Sequence, residues 1–282
     1  MESCSFGFDL ANLRVAIIHH WFIQRRGAER VVEALAEMLP QADIYTLVFN
    51  PEALGRALQG HRLYSSVLQK FPGSRHWHRH LLPLYPFVLE QFDLSEYDLV
   101  ISSESGPAKG VITSSHTCHI CYCETPMRYV WDMYHSYRRG MGFPARIFFP
   151  IVAHYVRMWD VACASRVDYF VANSENVAAR IRKHYRRDAT VIHCPVDTKV
   201  GYISSTTGDY YLMVGALVNY KRIELAIEAC NRLQRPLRII GTGENYKKLR
   251  RLAGSTVKFL GYAPDEVVRE NYAHCRAVLF PG

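Results

Sequence analysis

The stretch Leu13-Arg-Val-Ala-Ile-Ile18 decides the fold. Apolar and β-branched residues follow one another there without a turn former, the pattern of a strand buried on both faces in a parallel sheet. A loop is predicted over His19 to Gly27. Residues Ala28 to Leu39 then set Val31, Val32, Leu35 and Leu39 at helical spacing, and Ala42 to Val48 returns to strand. Strand, loop, helix and strand in that order make a right-handed βαβ unit and predict an α/β, doubly wound sheet.

Outward from this unit, strands are predicted at Tyr97–Ser102, His119–Cys123, Val167–Ala172 and Thr190–His193, with a helix over Glu175–Tyr185 and a long amphipathic segment over 146–165. Residues 72–93 read as irregular: Pro72, Pro83 and Pro86 are mixed with Trp77, Tyr85, Phe87 and Phe92 and flanked by Arg75, His76, His78, Arg79 and His80. The alternation stops at Cys194-Pro-Val-Asp197, and Lys199–Asp209, rich in Ser, Thr and Gly, reads as a linker. A second alternation follows: strand Tyr210–Val214, helix Lys221–Leu233, strand Leu237–Ile240, helix Glu244–Leu252, strand Val257–Leu260, helix Asp265–Ala273 and strand Ala277–Phe280. Two Rossmann-like lobes are expected, at 1–196 and 197–282, the second ending before its alternation is complete.

Composition narrows the class. With 282 residues, 49% of them hydrophobic and 21% charged, the chain is an ordinary globular one and not disordered or fibrous. A net charge of +8 favours anionic partners: nucleotides, nucleic acid or an acidic membrane surface. No recognition motif supports nucleic acid. The N-terminus lacks a signal-peptide pattern, no run of about 18 uninterrupted apolar residues suggests a spanning helix, and the eight cysteines read as reduced thiols. A cytoplasmic protein is expected, peripheral on the inner membrane face, with the aromatic and basic stretch 74–92 as the membrane-associating segment.

Four patterns bear on chemistry. Gln24-Arg-Arg-Gly-Ala-Glu29 joins a strand to a helix start, where free amides make an anion site, although a plain βα turn fits equally. Ile239-Ile-Gly-Thr-Gly-Glu-Asn-Tyr246 has two glycines of the dinucleotide fingerprint but Tyr246 in place of the third, and no acid follows the next strand. That argues against a dehydrogenase and leaves a phosphate or nucleotide loop. Lys221 and Arg222 sit at a predicted helix start, an unfavourable place for cations unless an anion neutralises them. Cys118, His119, Cys121 and Cys123 invite a metal, but Cys121 and Cys123 are two apart on a buried strand, and packed thiols fit better.

Several segments resemble glycosyltransferase family 4. Tyr97-Asp-Leu-Val-Ile-Ser-Ser103, Ala108-Lys-Gly-Val-Ile-Thr113, Cys121-Tyr-Cys-Glu-Thr-Pro-Met-Arg-Tyr-Val-Trp-Asp132, Val171-Ala-Asn-Ser-Glu-Asn-Val-Ala178 and Val191-Ile-His-Cys-Pro-Val-Asp197 look like its N-terminal lobe. Leu212-Met-Val-Gly-Ala-Leu-Val-Asn-Tyr-Lys-Arg222 and the Gly241–Glu244 turn resemble its nucleotide-binding lobe. The resemblance runs in order from about residue 13 to 282 and is greatest to bacterial O-antigen and exopolysaccharide mannosyltransferases.

That resemblance implies a GT-B fold and retaining transfer of a hexose from a nucleotide-diphosphate sugar, GDP-mannose above others, to a glycan or polyprenol-linked acceptor, with no metal and no further cofactor. It implies that Lys221 neutralises the departing diphosphate. It places Gly27, Gly215, Arg222, Gly241, Gly243 and Glu244 on the donor. Arg26, Glu124, Arg128, Asn173 and Ser174 fall on the acceptor side, with Glu124 catalytic beside Lys221. Two departures stand out. Ala216 replaces an arginine common after the strand glycine, and Glu124 replaces a histidine. The family's pair of donor-holding glutamates would follow Gly282. A fragment of an active transferase is therefore one reading, and a non-catalytic nucleotide- or partner-binding remnant is the other.

Overall fold

The computed structural model describes residues 10–25, 27–104 and 106–282. It divides the chain into two compact units, Met1–Pro195 and Val196–Gly282.

In the first unit, β1 (Val15–Phe22) lies between β2 (Asp43–Phe49) and β4 (Leu99–Glu104), both parallel to it. The full sheet also contains β3 (Leu63–Ser65), β5 (Cys118–Cys123), β6 (Tyr169–Ala172) and β7 (Thr190–Val191), in the order β3-β2-β1-β4-β5-β6-β7. Strand alternation sends Ala16 and Ile18 to one core, with Tyr45, Leu47, Val100 and Leu89. Val15 and Ile17 go to the other, against Val32, Ala36 and Leu39 on or just after α1 (Gly27–Met38). Each fully buried Ile or Leu contributes about 1.5–3 kcal/mol, so this doubly covered sheet is the main source of stability.

β1 runs four residues past the predicted strand end, through His19, His20, Trp21 and Phe22. Burial strips the charge from the two imidazoles, so they sit in a strand as neutral rings. The residues predicted irregular, 72–93, are largely a chain of short helical pieces: α2 (Ser74–Trp77), a 3-10 run His78–Leu84 and α3 (Tyr85–Leu89). Pro83 inside the 3-10 run and Pro86 at the start of α3 keep them from fusing into one α-helix. The remaining helices of this unit are α4 (Tyr134–Gly140), α5 (Phe143–Ala164) and α6 (Glu175–Tyr185).

The buried face of α5 carries a charge. Asp160 and Lys109, the latter in a 3-10 turn after β4, are both fully buried and form an ion pair. The second carboxylate oxygen accepts from Trp131 Nε1 at 2.7 Å and from the Tyr185 hydroxyl at 2.9 Å, and the ammonium lies 4.7 Å from the Tyr185 ring centroid. One aspartate thus ties β4's exit, α5, α6 and the loop after β5 together.

The second unit has β8 (Tyr211–Val214), β9 (Leu237–Ile240), β10 (Val257–Gly261) and β11 (Ala277–Val278), all parallel, in the order β10-β9-β8-β11. Its helices are α7 (Ile223–Arg232), α8 (Tyr246–Leu252) and α9 (Asp265–His274). Met213, Ile239 and Val257 from the sheet pack on Ile223, Ile227 and Leu249. Residues 192–210 carry no helix or strand. α7 and α8 each start two residues later than predicted. Arg222, in a left-handed conformation (φ 49°), separates α7 from the 3-10 turn Asn219–Lys221 that precedes it. The two lobes have the GT-B architecture of paired Rossmann-like folds.

Candidate functional site

In the second unit the strand order reverses between β8 and β11, and ligands of open α/β sheets bind beyond the carboxyl ends of the strands at such a point. Three loops meet there. Gly241, at φ 141°, lies so close to the Gly215 carbonyl that a Cβ would collide with it, and Gly243 packs in the same way on Leu217. Only glycine fits these two places. Leu217 N donates to Thr242 O at 3.0 Å, Asn245 N to Leu217 O at 3.1 Å, and Asn245 Nδ2 to Asn219 Oδ1 at 2.8 Å. The third loop closes the group, with Gly282 against the backbone of Tyr220 and Lys221.

Lys221 stands at this edge. Its ammonium is 4.3 Å from the Phe280 ring centroid and 5.8 Å from that of Tyr220. Such cation–π contacts contribute about 0.5–1 kcal/mol and fix the head group without neutralising it. Among the described residues no carboxylate pairs with it. Arg222 has a partner within the chain: Nε is 2.7 Å from Glu224 Oε1, so the first turn of α7 supplies a counter-charge. Gly215, Lys221, Gly241 and Gly243 are therefore brought together, Glu244 is exposed on the same turn, and Arg222 is paired with Glu224.

In the first unit Cys123 pairs with Ala172, so Glu124 after β5 and Asn173 after β6 leave the sheet side by side. Ser174 caps α6: its hydroxyl accepts from Val177 N at 3.4 Å and donates to Asn173 Oδ1 at 3.1 Å. The segment after Glu124 is pinned to α6 by Arg180, which bonds Thr125 Oγ1 at 3.1 Å and pairs with Asp132 at 3.2 Å, and by His184, 3.1 Å from the same carboxylate. Burial, the neighbouring Cys194 thiol and the Glu124 carboxylate push the Tyr122 hydroxyl well above its usual pKa. Arg128 is half-buried in that segment. Gly27 is the first residue of α1, with open space where a Cβ would stand and with Glu29 already placing a carboxylate in the first turn. Arg26 lies outside the described residues.

The model of Glycosyltransferase Family 4 matches residues 25–200, and that of Glycosyl transferases group 1 matches residues 201–282. The chain belongs to glycosyltransferase family 4. O-antigen chain mannosyltransferase C of Escherichia coli is 32% identical over 130 residues, covering 41% of this chain and 35% of that protein. The match thus spans about a third of that relative's length. Among solved structures, HepE of Anabaena in complex with UDP and glucose superposes with a TM-score of 0.64 at 15% identity, covering 95% of this chain and 74% of that one. S. aureus TarM gives 0.62 at 10% identity over 96% and 80%. At such identities these neighbours establish the fold.

Sequence reading overlooked two polar residues of this family 4 chain. His19 and His20 are buried in the second half of β1 at the other point of strand reversal, between β1 and β4. His19 Nδ1 donates to Ser103 O at 3.1 Å, and burial lowers its pKa to about 4. Burial, with His19 and His78 nearby, holds His20 well below the ordinary value, and its ring faces Gly106. His19 Nε2 and His20 Nδ1 have no hydrogen-bond partner among the described residues. The signal was present as two consecutive histidines directly after a strand run.

Because the folded pKa of His19 lies below the unfolded value near 6.5, the folded state binds fewer protons than the unfolded chain. The stability linked to it is fully present above pH 6.5 and is lost as pH falls from 6.5 towards 4, at up to about 1.4 kcal/mol per pH unit. Urea midpoints measured between pH 7 and pH 5 are expected to fall, and His19→Gln is expected to flatten the fall. Parallel profiles for both proteins would refute the assignment.

Proposed function

We infer that this chain transfers a hexose from a nucleotide-diphosphate sugar to an acceptor hydroxyl with retention of configuration. The donor is GDP-mannose, the acceptor a lipid-linked or polysaccharide glycan of the cell surface, and the reaction is cytoplasmic. Family membership supports the reaction class, and the similarity to an O-antigen mannosyltransferase supports the sugar. That HepE was solved with UDP and glucose supports a nucleotide-sugar donor.

The observation that carries the reading is the uncompensated Lys221 ammonium at the strand reversal of the second unit, beside backbone that only glycine permits. As the bond from the sugar's C1 to the diphosphate breaks, negative charge grows on the departing oxygens. A preset cation stabilises that charge more than it stabilises the ground state. The acceptor oxygen bonds to C1 on the face being vacated, and its proton passes to the diphosphate. Glu124 is the carboxylate that would stabilise oxocarbenium character on the sugar. Gly27, Arg128 and Asn173 are assigned to binding on the first unit. Ser174 orders Asn173.

Incubation with GDP-mannose, UDP-glucose and UDP-N-acetylglucosamine, with nucleotide release as the readout, tests the reading. GDP release from GDP-mannose above the other donors is expected. Release from a UDP-sugar alone would correct the donor, and binding without release would favour the non-catalytic reading.

A further inference from the structure

α5 is, among the described residues, the one helix whose 22 residues are long and apolar enough to cross a membrane by length and composition. It is not placed to do so. Phe149, Ala153, Val156, Asp160 and Cys163 form a buried face, and Asp160 is locked to Lys109 in the core of the first unit. The opposite face is also apolar. Ile147, Phe148, Ile151, Tyr155 and Met158 are 44–69% exposed. At 100° per residue, Ile147, Ile151, Tyr155 and Met158 fall within an arc of roughly 80°. A core helix with an oily outer stripe is a surface without its partner.

The surroundings indicate what the partner is. The chain carries five Lys and Arg residues between positions 53 and 89 and four between 133 and 159, with no Asp or Glu in either stretch. Those two segments hold more positive charge than the whole chain's net +8. The end of the first segment meets the second: Leu82 packs in one cluster with Phe149, Ala153 and Val156, and just past that segment Glu90 Oε1 accepts from Trp159 Nε1 at 3.2 Å. Within the stretch expected to meet a membrane, Tyr85, Val88 and Leu89 are core residues, while Trp77, Leu84 and Phe87 are exposed.

We propose that the outer face of α5, rimmed by Arg138, Arg139 and Arg146 and extended by Trp77 and Phe87, lies in the interface of an anionic lipid bilayer, with the helix axis in the membrane plane. Apolar side chains enter the boundary between head groups and acyl chains, and arginines meet lipid phosphates. A protein partner would need acidic side chains at matching places. A bilayer supplies negative charge all round the stripe. The inference uses the first unit alone, so the flotation result and the sugar-transfer result are independent.

The test is flotation of the full chain with vesicles containing phosphatidylglycerol and with vesicles of phosphatidylcholine only. Co-flotation is expected with the first, is expected to weaken near 1 M salt, where the screening length is about 3 Å, and is expected to be poor with the second. Changing Ile151→Glu together with Met158→Glu should cut the bound fraction about tenfold while leaving the melting temperature in place, since both side chains are exposed. Arg138→Glu with Arg139→Glu, on a separate helix, gives an independent reading if the first variant misfolds. Wild-type protein left at the bottom of the gradient, or variants that float as well as wild type, would overturn the proposal. A dimer by light scattering that Ile151→Glu dissociates, with no flotation, would also overturn it and assign the face to a second copy of the chain.

Discussion

Lys221→Ala is expected to lower kcat for sugar transfer by about 10²–10³-fold, the size of effect seen when one preset electrostatic group is removed from a site that stabilises developing charge. The ammonium is held by the Phe280 ring and is not neutralised by any carboxylate of the described chain, so its field is available to a departing diphosphate. Affinity for the free nucleoside diphosphate should fall in calorimetry, and Lys221→Arg should recover part of both, since charge is kept while the shape changes. Phe280→Leu separates the two roles of the contact: it removes the ring and leaves the charge, so it should cost far less. Unchanged turnover and unchanged diphosphate affinity in Lys221→Ala would remove this residue from the site.

The second large effect is on stability. Asp160→Ala leaves Lys109 charged in a fully buried position and deprives Trp131 Nε1 and the Tyr185 hydroxyl of their acceptor. Breaking one side of a buried pair costs about 3–5 kcal/mol. For a domain of this size, a fall of about 10 °C or more in the first unit's melting transition is expected. Lys109→Met combined with Asp160→Leu should restore much of the loss, because the double change removes both charges and not one. A single variant that melts like wild type would show that the pair is not a structural tie. Trp131 links this network to the segment that begins at Glu124, so misplacement of that segment should also appear as reduced transfer at temperatures where the variant is still folded.

The legible parts of the molecule were those where one physical signal dominates. Leu13–Ile18 is apolar throughout, and it marks β1 and with it the parallel sheet. The glycines at 241 and 243 stand where backbone must meet backbone, and their placement after a strand was readable from spacing alone. The failures have equally definite causes. His19 and His20 are polar by type, which suggested a loop, whereas burial makes them neutral and strand-compatible. Arg222 at a helix start predicts a counter-anion, and the structure provides one within the chain, Glu224, two residues along. Lys109 and Asp160 are 51 positions apart, and nothing local announces that they pair. β3 has only three residues, too short for a periodic signal.

The brevity of β3 has a counterpart at the opposite margin of the same sheet, where β7 contains two residues. A seven-stranded parallel sheet presents rows of amide and carbonyl groups on its outermost strands, and long margins of that kind recruit further chains into fibrillar aggregates. Here each margin offers too few consecutive unpaired groups to seed such growth. Short terminating strands of this kind are one of the ways in which natural sheets limit such growth.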